Sequence, residues 1–126
     1  MIPLHCTFMK SARSETLALA WIKLLHTTIW CFFAGCIVAL PVAGALRHFR
    51  LAAGLASLVL IECAILALNH FRCPLTDLAA RHTDNRADNF DIYLPVWLAR
   101  HNKSIFGTLF AAGGMFVLWQ WLFSRR

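Results

Sequence analysis

The chain predicts an all-α integral membrane fold, three transmembrane helices plus an interfacial or re-entrant helical segment, on three observations. Of its 126 residues, 60% are hydrophobic and only 14% charged, too little polar surface for a soluble domain of this length. Residues 24–46, 51–69 and 104–123 carry no Asp, Glu, Lys or Arg except Glu62, and about 20 apolar residues suffice to cross the hydrocarbon core as a helix. The basic residues gather at the ends of these runs, where they suit lipid headgroups. The chain therefore reads as a single membrane domain with spans at about 18–46, 50–70 and 104–123, and a polar or interfacial segment at 71–103.

A net charge of +6 would suggest nucleic acid in a soluble protein. No interleaving of basic and aromatic residues and no finger spacing supports that partner, so the lipid bilayer is the expected one. At the N-terminus, Lys10 and Arg13 precede an apolar run, and Ala43-Gly44-Ala45 resembles a small-residue cleavage site. A signal h-region covers about 7 to 15 residues, and this run is longer, so it is expected to stay as a true span. Residues 1–16 are expected to form a short extension, with 1–8 apolar enough to rest in the interface.

On the first span Gly35, Ala39 and Ala43 recur at i, i+4 and i+8, a small-residue face that admits another helix closely, and Pro41 is expected to kink it. Residues 47–50 form a polar hinge so short that the first two spans must pack as an antiparallel hairpin. Pro74 can open a short helix over 74–81, because its missing N–H costs nothing in a first turn. Residues 82–89 alternate charges and amides and read as a loop. Residues 90–101 are apolar but too short to span, which predicts an interfacial or re-entrant segment with Tyr93 and Trp97 at headgroup level and Arg100 and Lys103 in water. In the third span Gly107, Ala111 and Gly114 give a second small-residue face, and Trp119, Trp121, Arg125 and Arg126 mark the interfacial end. The Gly and Ala faces suit a membrane-protein partner or a second copy of the chain.

Lys10, Arg13, Arg72, Arg81, Arg86, Arg100 and Lys103 share one side of a three-span protein, against Arg47, Arg50, Arg125 and Arg126 on the other. The larger cationic count places the N-terminus inside, although the second group abuts its spans directly. Five cysteines are an odd number, and Cys31, Cys36 and Cys63 fall inside spans, where small thiols are ordinary packing residues. Cys73 differs in lying at a span boundary beside Pro74, without a second cysteine at metal-ligand spacing.

Glu62 is the strongest functional lead. An ionised carboxylate at membrane depth costs at least a few kcal/mol, so it is expected to face a partner, a cavity or a neighbouring helix. Either it relays protons or binds a cationic headgroup, or it is a neutral acid hydrogen-bonded across a helix interface. On the second span Glu62, Asn69 and Cys73 share a face, since offsets of 7 and 11 residues return to within about 20°. The first span offers Lys23, Thr27 and Trp30 with His26 beside them, so a polar seam can descend from the interface toward Glu62, with Lys23 itself snorkelling to the interface. His26 and His70 fall at nearly one depth, with Glu62 roughly 12 Å further in. Tyr93 and Trp97 are expected at the rim of any cavity leading to it. Asp84, Asp88 and Asp91 could form a metal or phosphate site, but they are interspersed with Arg81 and Arg86, so a solvated, salt-bridged loop is the expected reading.

Leu25-His26 in the first span, Ile61-Glu62 in the second, and Cys73-Pro74-Leu75-Thr76 after it resemble the pattern of a family of small bacterial inner-membrane proteins classified as a domain of unknown function. The similarity covers about residues 20–123, and the chain departs from the family's usual continuation at 77–89. The resemblance implies a multi-pass protein of the bacterial inner membrane and supplies no activity. The sequence holds no Gly-x-Ser-x-Gly elbow, phosphate loop, His-Glu-x-x-His or Cys-x-x-Cys. The function it supports is a binding or accessory subunit with a polar interior around Glu62. The alternative is a haem- or metal-dependent redox carrier using His26 and His70. No particular cofactor or metal follows from the residues.

Overall fold

Inside a bilayer every backbone N–H and C=O must find its partner within the protein, and this chain meets that demand with helices. The computed structural model describes the backbone of residues 4–125 and the side chains of residues 16–125. Among the described residues four helices occur in order: α1 (Leu4–Ala45), α2 (Phe49–Leu68), α3 (Pro74–Ala80) and α4 (Val96–Ser124). The protein is all-α, and Thr16–Ala45, Phe49–Leu68 and Val96–Ser124 are each long and apolar enough to cross a membrane. Large apolar side chains such as Trp21, Val38, Leu60 and Met115 point outward, where lipid would cover them. The side chains of the expected N-terminal interfacial extension lie outside the described residues.

The hinge between α1 and α2 closes with a left-handed residue. Arg47 has φ 62°, His48 N–H donates to Ala43 O at 2.9 Å, and Arg47 N–H donates to Gly44 O at 3.1 Å. These two bonds satisfy carbonyls that the helix end leaves orphaned, and they turn the chain within three residues. The same device ends α2, where His70 and Phe71 take φ 58° and 61° and Phe71 N–H donates to Leu66 O at 2.6 Å. Asn69 then fastens the turn, donating to Arg72 O at 2.8 Å and to Asp77 Oδ2 at 3.1 Å.

α1 is the central element. It packs against both α2 and α4, whereas α2 and α4 touch only weakly, so the two outer helices splay apart across its face. The packed end lies toward the hinge, where Leu40, Ala43 and Ala52 are buried against Leu55, Phe110 and Val117. A Cβ on Gly44 would sit 2.7 Å from Val117 Cγ2, and one on Gly113 would sit 3.3 Å from Pro41 Cδ. The close approach therefore uses Gly44 and Gly113, one position away from the residues at the ends of the expected small-residue faces, Ala43 and Gly114. Gly35, Gly107 and Gly114 meet open space instead. α1 continues as helix through Pro41.

The third span begins earlier than its apolar run. Pro95 caps α4, Ala99 N–H donates to Pro95 O at 3.0 Å, and Arg100 to Lys103 lie within the helix. The expected single segment over 90–101 is thus divided at Pro95: residues 90–94 form a turn and bends, and residues 96–101 are the first turns of α4. A polar stretch does not break a helix whose backbone bonds are already made, and Pro at its start removes only a donor that would be orphaned. Three crossings put the α3–α4 loop and the C-terminal end on opposite sides. In cells, cysteines replacing Asp84 and Ser124, on a background free of other cysteines, are expected to label from opposite faces. Labelling of both by one impermeant reagent from one face would exclude three crossings.

Candidate binding cleft

Because α2 and α4 diverge, a cleft of about 720 Å³ opens between them with α1 as its back wall and the 71–94 segment as its roof. Its inner part is apolar: Phe33, Ile37, Val59, Phe106 and Phe110 pack around one core cluster that continues into its lining. Its loop-side part is polar and holds His26, Cys73, Thr76 and Asp91. Glu62 stands on the α2 wall between them.

Asp91 is the organising residue, and it is buried at 6% exposure. The Thr76 hydroxyl donates to Asp91 Oδ2, and His26 Nδ1 lies 3.3 Å from the same oxygen and 3.1 Å from the Asp91 backbone carbonyl. Both neighbours of Nδ1 are acceptors, so Nδ1 carries a proton and Nε2 is the ring's other face. Cys73 lines the same loop-side part of the cleft. Burial pushes the Asp91 carboxyl up, but the hydrogen bonds from His26 and Thr76, with the imidazole's charge, outweigh it and hold the group below its ordinary 3.8. A second polar tie crosses the back of the cleft, where Trp30 Nε1 donates to Asn102 Oδ1 at 2.8 Å and the indole meets Phe106 edge-on at 5.4 Å.

No hydrogen bond or ion pair joins the Glu62 carboxylate to any described residue, although it lies about 9 Å inside the loop-side end of α2. Among the described residues it is a carboxylate at membrane depth with no hydrogen bond or ion pair.

The structure brings His26, Glu62 and Cys73 to one cleft. Asn69 and His70 are not part of it, because the helix that was to carry them on the Glu62 face ends at Leu68 and His70 turns outward as a left-handed, exposed residue. His26 and His70 are therefore not gathered around a common space. Among the described residues no group of three or more His, Cys, Asp or Glu side chains could hold a metal ion. Lys23 is capped by the Tyr93 ring, 4.6 Å from its centroid, and does not reach the seam. Tyr93 N–H donates to Thr27 Oγ1 at 2.9 Å, which in turn donates to Lys23 O, so this residue ties the roof to α1 from outside. The expected rim residues Tyr93 and Trp97 are exposed and do not line the cleft; Phe90, Asp91, Ile92 and Leu94 roof it instead.

Thr76 was not legible as a site residue, and Asp91 was legible only as one of three loop carboxylates expected to be solvated. Of the three loop carboxylates, Asp88 does form the expected surface ion pair, with Arg100 Nε at 2.8 Å. Asp91 differs by standing between Phe90 and Ile92, an apolar flank that is the one local signal of burial. No protein-family profile, curated protein or solved structure matches the chain.

Proposed function

We propose that this is a binding protein of the membrane that holds an amphipathic, membrane-resident molecule in the cleft, its polar group at Glu62 and the His26 cluster and its apolar part along Phe33, Ile37 and Phe110. The observation that carries the reading is the unpartnered Glu62 carboxylate on the wall of a cleft whose size suits a small ligand. A charge or acid left unsatisfied at that depth is stabilised by whatever occupies the space beside it. The bacterial inner membrane, which the sequence resemblance implies, is the proposed location.

Gly107 supplies the test. It lines the cleft, and a Cβ there meets nothing within 4 Å, so a larger side chain can start into the cleft without a clash at its first carbon. The purified protein, measured by native mass spectrometry in mild detergent and by lipid analysis of solvent extracts, is expected to carry a stoichiometric amphiphile. Gly107→Leu is expected to lose it with an unchanged melting temperature. Glu62→Gln is expected to fold normally and retain the molecule better than Glu62→Leu, since the amide keeps hydrogen-bonding atoms and leucine forfeits about 1 to 3 kcal/mol of polar contact. Equal lipid content in wild type, Gly107→Leu and Glu62→Leu would sink the reading.

A further inference from the structure

Once internal pairs are set aside, the charges left lining the cleft fall in an order. His26 is matched with Asp91 and Asp88 with Arg100, while Asp77 accepts from Asn69 Nδ2. Arg86 donates to the carbonyls of Ala80, Thr83 and Asn85. Glu62, Arg72 and Lys103 have no ion pair among the described residues. Lys103 reaches from α4 across the mouth and donates to Phe71 O, in the left-handed turn that ends α2, and Arg72 is the next residue. Both cations are thus held at the loop-side mouth. Glu62 lies about 9 Å further in than the end of α2. Val59, one turn deeper on the same helix, packs with Ile37 and Phe110 in the apolar floor. From mouth to floor the cleft therefore runs cation, carboxylate, hydrocarbon. Trp30, Phe33 and Phe106 line the same space as Glu62, and aromatic rings beside a carboxylate suit an alkylammonium group.

We propose that the cleft selects an amphiphile whose ammonium group lies between its hydrocarbon chain and a terminal anionic group, with the ammonium beside Glu62 and the anion at Arg72 and Lys103. Phosphocholine and phosphoethanolamine lipids carry these charges in the reverse order, with the amine outermost. Entering chain first, such a headgroup would set its phosphate toward Glu62 and its amine toward Arg72 and Lys103, both like-charge contacts. The site therefore rejects these bilayer lipids and accepts the reversed zwitterion. Because α2 and α4 touch only weakly, the cleft is open along its side, and a chain longer than the floor can pass between them into the bilayer. The charge order of the ligand rests on the cleft being the amphiphile site proposed above.

Two detergents of one chain length separate the orders. Dodecyl sulfobetaine carries its ammonium next to the chain and its sulfonate outermost, and dodecylphosphocholine carries its anion next to the chain and its ammonium outermost. Each is titrated below its micellar threshold into the full-length protein after exchange into dodecyl maltoside, and bound copies are counted by native mass spectrometry. Gly107→Leu reports attachment outside the cleft. Wild type is expected to bind the sulfobetaine at least about tenfold more tightly. Arg72→Gln is expected to remove most of that preference without weakening dodecyltrimethylammonium, which has no anion. The Arg72 side chain makes no hydrogen bond or ion pair with a described residue, so its replacement leaves the turn intact. Glu62→Gln is expected to weaken both the sulfobetaine and the trimethylammonium probe at least about fivefold. Binding that Gly107→Leu abolishes, but with the two zwitterions equal or the phosphocholine preferred, overturns the charge order and leaves the amphiphile site standing. A sulfobetaine preference that survives both Arg72→Gln and Glu62→Gln overturns the assignment to these residues. Binding of neither zwitterion, or binding indifferent to Gly107→Leu, overturns the cleft reading and the charge order together.

Discussion

Asp91→Ala is expected to cost about 3 kcal/mol of stability, the scale for removing one partner of a buried, hydrogen-bonded pair. The substitution strands the Thr76 hydroxyl and the half-buried His26 imidazole and unfastens the roof of the cleft from α1. Equilibrium unfolding in mixed micelles measures it, and a loss below about 1 kcal/mol, the range of an exposed pair, would show that the cluster does not hold the roof. Asp91→Asn should cost less, because it keeps an acceptor for Thr76. The pH dependence follows from the depressed carboxyl of Asp91. Its folded value lies below the ordinary 3.8, so its stabilisation is fully present above that pH and is lost as pH falls through the folded value. Wild type is expected to lose stability on acidification below about pH 3.8, and Asp91→Asn is expected to flatten that part of the curve.

The second large effect is expected at Gly44, where α1 meets α4. Alanine there places its Cβ 2.7 Å from Val117 Cγ2, a side-chain end that can turn away, and 3.3 Å from Val117 Cα, which cannot. Helix propensity favours alanine over glycine by about 1 kcal/mol, so Gly44→Ala is expected to be nearly neutral or mildly destabilising. Leucine has no such compensation and is expected to cost about 3 kcal/mol by forcing the two helices apart. Without a hydrophobic drive between helices in lipid, this contact depends on close packing, and separation removes it. Val117→Ala in the Gly44→Ala protein is expected to recover the loss, giving coupling of about 0.5 to 1 kcal/mol in a double-mutant cycle. Additive effects would place the contact elsewhere.

Glu62 was legible because one carboxylate in an apolar run stands out from its local composition, and the structure sets it on the wall of the cleft. His26 was legible as a residue but not as a neighbour of Asp91. That contact joins positions 65 residues apart, through a roof whose path depends on the left-handed turn at His70 and Phe71 and on Pro95. The small-residue faces show the same division. Their spacing announces that helices can come close, while the register at which they do so depends on the rotation of α1 against α4, which spacing along a single helix does not contain.

What the sequence determined by itself is the class of solvent and the element type: hydropathy along the chain requires three buried crossings, and a bilayer admits helices there because their hydrogen bonds close within each segment. Tertiary structure alone decided that α2 and α4 splay across α1, that the space between them is a cleft, and that Asp91 folds into its mouth against His26. Helix formation follows from groups a few residues apart. The cleft and its polar cluster arise from contacts between distant segments, which exist only once the helices have packed.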